Sequence, residues 1–308
     1  MTTTPPADAA PETAARVVAL GLGGGPRLHP TQAKPALALA LADRVYLVDC
    51  GLETVHQLSK ANLKLGQLGG LFITHNHLDH TSGIGPLFIH GWTNLGDQLN
   101  PGVGIWGPSP VARIGELFGA AYGPDIENYL AGGGFGPFPY PHLNEVVSTE
   151  GTFAVMEDDL VRVTATRVFH GPEIANAFAY RFDIKATGQS VVFSGDTAAP
   201  DQNLIGLAQG CDVLVHETQD NDRVEELAAR IPEPFGSQLK KHLFESHSSV
   251  TELPEVAKLA GARKLVMSHY TPIPQPAQVF LEKALAAAEP VGYLGEIIAP
   301  VELDVIPL

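Results

Sequence analysis

Three imidazoles and one carboxylate fall within six residues of this chain, in Thr74-His75-Asn76-His77-Leu78-Asp79-His80. Imidazole and carboxylate are ligands suited to Zn²⁺, Fe²⁺ or Mn²⁺. The cluster follows an apolar run at 71–73, which reads as a strand, so its side chains would project from a strand end into a crevice. The alternate residues His75 and His77 would face one metal. Asp79 and His80 would then turn toward a second as the chain leaves the strand. A histidine-rich surface loop without metal is the bland alternative. It would leave four ligand-type side chains at this spacing without partners.

Three more ligand types stand at the ends of apolar, strand-like runs: His170 after 161–169, Asp196 after 190–193, and His269 after 264–267. Strand ends at one edge of a sheet converge on a common crevice. A catalytic metal takes about four ligands and keeps one position for water. His75, His77, His170 and a bridging Asp196 would serve one metal; Asp79, His80, His269 and the same Asp196 would serve the other. The count closes with no ligand spare.

Further apolar runs at 17–20, 36–41, 45–48 and 213–215 read as strands, the second and third as a pair. Helical patterns lie between the strands, at 54–60, 110–120, 223–230 and 251–260. The last is the best marked, with Ser249 and Glu252 as a capping box and Gly261 at its end. Strands mixed with helices over 308 residues predict an α/β layered fold. The chain divides into an N-terminal lead at 1–15, expected to be disordered, and one domain at 16–308. Within that domain, 119–144 is dense in Gly, Pro and aromatics. It reads as a long ordered loop or insertion near a pocket mouth.

Asp and Glu number 34 against 19 Lys and Arg, a net charge of −15 with His neutral. Such a surface repels phosphate backbones and anionic membranes at long range, which argues against a dedicated nucleic-acid binder. No apolar run is long enough to span a membrane. Cys50 and Cys211 sit beside strand-like runs and lack metal-site spacing, so they read as small buried hydrophobes. This fits a reducing, cytoplasmic compartment, or the periplasm if a signal peptide has been removed.

The run His75-Asn-His-Leu-Asp-His80 resembles the His-x-His-x-Asp-His signature of the metallo-β-lactamase superfamily. The later pieces follow in the same order: His170, the Asp of Ser194-Gly-Asp-Thr197, and the His of Ser268-His-Tyr270. The resemblance spans about 17–301. It implies a four-layer αββα sandwich with a dinuclear, dizinc site at one sheet edge, Mn²⁺ or Fe²⁺ being alternatives. Four further stretches resemble the branch holding ribonuclease Z and its arylsulfatase- and phosphodiesterase-like relatives: Leu22-Gly-Gly-Gly-Pro26, Val48-Asp-Cys-Gly51, His216-Glu-Thr218 and His247-Ser-Ser-Val250. By that resemblance Glu217 orients His247, and His247 stabilises or protonates the departing group. A bridging hydroxide, its water brought to a pKa of roughly 7 by two metals, would be the nucleophile. Asp79 would orient it or take its proton. His216 reads instead as a strand-end histidine with a structural hydrogen bond.

One departure concerns the substrate. Long-arm ribonuclease Z proteins grip transfer RNA with a basic Gly/Pro-rich arm, whereas 119–144 here has no Lys or Arg. With the acidic balance, this favours a small-molecule phosphodiester, sulfate ester or related ester, stacked against Trp92, Trp106, Phe135 or Phe138. The alternatives are a lactonase or hydrolytic dehalogenase on an aromatic compound, a transfer-RNA 3′ endonuclease, and an iron-containing redox or sensor protein. His29, in the loop after the first strand, and His242, close before His247, could also face the site, but each reads first as a surface or satisfied histidine. Apolar patches on the outer helices would support a homodimer.

Overall fold

A computed structural model of the chain describes residues 15–147 and 150–308. The expected N-terminal lead therefore lies, apart from Ala15, outside the described residues. Two seven-stranded sheets make up the centre. In chain order the first is formed by β1 (Arg16–Gly21), β2 (Ala36–Leu41), β3 (Arg44–Val48), β4 (Leu68–Phe72), β5 (Gly104–Pro108), β6 (His142–Val146) and, from the C-terminus, β14 (Val305–Pro307). The second holds β7 (Phe153–Glu157), β8 (Val161–Val168), β9 (Ala177–Ile184), β10 (Ser190–Phe193), β11 (Val213–Gln219), β12 (Lys264–Thr271) and β13 (Glu296–Ile298).

Each sheet begins with antiparallel pairs and changes to parallel ones. In the first the change comes at β3–β4, in the second at β10–β11. Parallel strands need covered crossovers, and helices supply the cover. α1 (Thr54–Lys60), α3 (Ile84–Thr93) and α4 (Val111–Ala121) lie over the first sheet. α6 (Gln202–Leu207), α9 (Leu253–Ala260) and α10 (Ala277–Val291) lie over the second.

Three buried clusters fill the three gaps between four layers. Between the sheets, Phe72, Tyr180, Phe182 and Phe193 pack at ring-centroid distances of 5.0–5.6 Å with Val17, Leu39 and Val215 around them. Alternation along β11 shows the logic. Val213 and Val215 enter the inter-sheet core, while Leu214 enters the helix-side core. This is the αββα sandwich the sequence predicts. Among the described residues no helix is long and apolar enough to cross a membrane. Both cysteines are buried and free.

Several expectations are corrected. The 119–144 stretch is not a long loop: it holds the end of α4 and a further helix, α5 (Gly123–Ala131), before the turn-rich 132–141. Trp92 and Phe138 are buried and pack together with Phe135 and Tyr129, at centroid distances of 4.9–5.6 Å. Trp92 donates its indole N–H to the Gly136 carbonyl. Trp106 stacks on Phe72 at 5.0 Å. These rings bind the 132–140 segment to the first sheet's helices. They pack against one another, which accounts for the burial of Trp92 and Phe138 without a substrate, while Phe135 and Trp106 stay partly exposed. α9 begins two residues later than expected. Half of its capping box forms: the Glu252 carboxylate accepts from the Ser249 N–H at 3.0 Å.

Candidate metal centre

Every predicted ligand reaches the same edge of the two sheets. His75 and His77 follow β4, and Asp79 and His80 sit in the single-turn α2 (Leu78–Thr81). His170 follows β8, Asp196 follows β10, and His269 lies in β12. All but His77 are at least nine-tenths buried.

Five overlapping groups of ligand atoms converge among the described residues, and two of them match the division the spacing implies. His75, His77 and His170 make one, and Asp79, His80 and His269 the other. The Asp196 carboxylate lies between them. Its Oδ2 is 3.8 Å from both His75 Nε2 and His170 Nε2, 3.4 Å from His80 Nε2 and 3.1 Å from His269 Nε2. Asp79 Oδ2 is 3.6 Å from His80 Nε2 and 3.5 Å from His269 Nε2.

Proton positions decide whether these atoms suit a cation. His170 Nδ1 donates to the Ser246 carbonyl at 2.8 Å, leaving a lone pair on Nε2. His80 Nδ1 lies 2.8 Å from Asp49 Oδ2 and donates to it, which leaves its Nε2 free. The Thr74 hydroxyl donates to Asp49, so its oxygen accepts from His75 Nδ1 at 3.1 Å. The free nitrogens then face one another, His75 Nε2 to His77 Nδ1 at 2.9 Å and His170 Nε2 to His77 Nδ1 at 3.3 Å. Burial keeps all three rings neutral, His170 with its pKa lowered to about 3. Around the other group negative charge accumulates. Burial opposes a charge on His80, yet Asp196, Asp49 and Asp79 outweigh it and raise its pKa, so the half-site favours a positive charge that a metal bound at Nε2 would supply in place of the proton. His80 Nε2 and His269 Nε2 are buried without a hydrogen-bond partner. Converging lone pairs and clustered carboxylates in a buried site are costly unless positive charge sits among them. The donor set therefore fits a divalent-metal site.

Behind the ligands stands Asp49, at the end of β3 with φ +62°. Its carboxylate accepts from the Thr74 N–H at 2.8 Å as well as from Thr74 Oγ1 and His80. It fixes the ring that ligates and the strand end that carries it. Sequence reasoning placed Asp49 only in a turn. A carboxylate closing a strand beside the histidine cluster was the available signal.

Glu217 and His247 flank the cluster. Glu217 Oε1 accepts from the Ser248 N–H at 2.8 Å and the Thr197 N–H at 3.4 Å. Its Oε2 is 3.4 Å from His247 Nδ1. The His247 ring lies 5.0 Å from the His170 ring and 5.5 Å from that of His269. Burial disfavours its charge, but Glu217 together with Asp196 and Asp79 outweighs burial and raises its pKa. His247 caps the end of α8 (Phe235–Ser246) and so reaches the site from outside the sheets. His216 points to the other face of β11 and donates through Nδ1 to the Glu217 carbonyl at 2.7 Å. His29 lies instead in a separate cavity with Tyr270 and Gln275, and His242 is exposed on α8, 3.9 Å from Glu173.

Comparison with known proteins agrees with this geometry. A family model described as "Beta-lactamase superfamily domain" matches residues 44–270. A ribonuclease Z of Mycobacterium bovis (strain BCG / Pasteur 1173P2) is 32 % identical over 267 residues, covering 86 % of this chain and 90 % of the relative. One from Mycobacterium sp. (strain KMS) is 33 % identical over 266 residues, covering 86 % and 87 %. Among solved structures, the short form of human tRNase Z superposes with a TM-score of 0.67 at 22 % identity, over 95 % of this chain and 100 % of that one. Unliganded yeast PDE1 gives 0.63 at 15 % identity, over 96 % and 100 %.

Proposed function

This chain belongs to the beta-lactamase superfamily and is a metal-dependent hydrolase of that fold, and on that premise we propose that it cleaves a phosphodiester bond in RNA with two zinc ions. The carrying observation is the pair of His/Asp groups sharing Asp196, with His247 held against them by Glu217. The ribonuclease Z name of relatives more than 30 % identical supports RNA as the substrate. This reverses the preference, drawn from net charge, against a nucleic-acid partner.

When bound, the metals would lower the pKa of water and neutralise charge developing on a phosphoryl oxygen. The protein's own groups supply the rest. Asp79 accepts the proton of the attacking water or orients it. Glu217 fixes the His247 ring, and its charge favours the protonated form, which donates to the leaving oxygen. His75, His77, His80, His170, Asp196 and His269 would hold the metals.

A small phosphodiester or sulfate ester is the second reading, favoured by the absence of Lys and Arg from 119–144. The test is a panel of a precursor transfer RNA with a 3′ trailer, bis(4-nitrophenyl) phosphate and 4-nitrophenyl sulfate, offered to zinc-loaded protein. Cleavage of the RNA, abolished in Asp79→Ala, is expected. Turnover of the small diester or sulfate alone would establish the second reading. No turnover of any of the three by fully loaded protein would overturn both.

A further inference from the structure

Lys34 is 2 % exposed, and among the described residues no carboxylate lies within ion-pair distance of its ammonium. Three backbone carbonyls satisfy it instead: Gly23 at 3.3 Å, Gly25 at 2.7 Å, and Arg27. An ammonium has three protons, so its donor capacity is filled by one glycine-rich loop. Burying a cation is costly, and burial lowers the Lys34 pKa while Asp79 and Glu53 pull the other way. A residue that only had to fill this space would be apolar.

The loop it holds leans on a metal ligand. Gly24 donates its N–H to the Tyr270 carbonyl at 3.1 Å. A Cβ built on Gly24 would fall 2.6 Å from Cε1 and Nδ1 of the His269 ring, so the bare backbone touches that ring. On its other side Lys34 meets the chain near Asp79. Its N–H donates to the Leu52 carbonyl at 3.2 Å. A Cβ on Gly51 would fall 2.5 Å from Lys34 Cβ and would also collide with the Asp79 carbonyl. Lys34 thus links the loop against His269 to the turn against Asp79. Both are ligands of the same half-site.

We propose that Lys34 is a positioning residue for the half-site of Asp79, His80 and His269, its ammonium locking the Gly23–Arg27 backbone as a wall against the His269 ring. This rests on the two-metal reading above. A lysine that served folding alone would leave the affinity for the second metal, and with it turnover at a given loading, unchanged.

The test is Co²⁺ titration of metal-free wild type and Lys34→Met, followed by absorbance and chelator competition, with phosphodiester turnover measured at the same loadings well below the melting temperature. In the variant the first equivalent should bind as in wild type, while the second binds at least tenfold more weakly. kcat should fall in step with second-site occupancy, with KM little changed. Lys34→Gln, which keeps two donors, should lie between the two; it is the variant to read if Lys34→Met does not fold. Two equivalents bound with wild-type affinity and turnover, beside a lowered melting temperature, would overturn the proposal and leave Lys34 a folding residue. Uptake of only one equivalent by wild type would instead overturn the two-metal reading beneath it.

Discussion

At the scale of single residues, the site divides into atoms that ligate and atoms that aim them. Asp49 belongs to the second kind: it holds His80 at 2.8 Å and Thr74 by two groups. Asp49→Asn keeps the volume but removes the charge, and the amide's N–H₂ cannot accept from every donor there. Metal affinity should fall by about 10–100-fold, the usual cost of losing such a partner, as read by chelator competition. His247 acts on the leaving group, so its loss should depend on what leaves. His247→Ala should lower kcat on an RNA phosphodiester by about 10²–10⁴-fold, with metal content retained. On a diester with a 4-nitrophenolate leaving group, which needs little protonation, the loss should be much smaller. Equal losses on both substrates would show that His247 does not donate the proton.

At the scale of elements, strands carry ligands and helix ends finish the site. β4, β8, β10 and β12 each deliver a ligand at or just beyond their C-terminal ends, and α8 delivers His247 from its last turn. α9 illustrates an element remote from the chemistry. It ends at Gly261 in the left-handed region, φ +64°, with the Gly261 N–H bonded back to Lys258 at 3.0 Å. Gly261→Ala should cost about 1–2 kcal/mol, lowering the melting temperature by a few degrees with kcat unchanged. The aromatic group of Trp92, Tyr129, Phe135 and Phe138 is read the same way. Trp92→Ala should destabilise by about 3–5 kcal/mol, as for other large buried rings. KM for substrate, measured on the remaining folded protein, should stay near wild type. A raised KM at retained stability would return that cluster to substrate binding.

At the scale of the whole molecule, metal binding and stability are linked. The candidate ligands come from four separate segments of both sheets, so a metal that binds only the folded chain stabilises the entire sandwich. Free metal at about 100 times its dissociation constant adds about 2.7 kcal/mol. Chelation should therefore abolish turnover and lower the melting temperature, and Zn²⁺ should restore both. The four-layer arrangement came from the family resemblance, but the layered α/β class and the seven candidate ligands were readable in the sequence because they rest on a local pattern: an apolar run of strand length, then a polar ligand type at its end. The helices of 119–144 and the role of Trp92 were not, because Gly, Pro and aromatic content does not say what a ring packs against. Nor was the role of Lys34. A lysine in a polar loop reads as solvent-facing, and only the closing of the loop around it turns three carbonyls inward. What the sequence determined by itself was the inventory of candidate ligands and the order of strands that carry it. The tertiary structure decided which lone pairs face one another, which carboxylate aims which ring, and which side chains merely pack. Those depend on contacts between segments as far apart as Asp79 and His269, and local spacing carries no record of them.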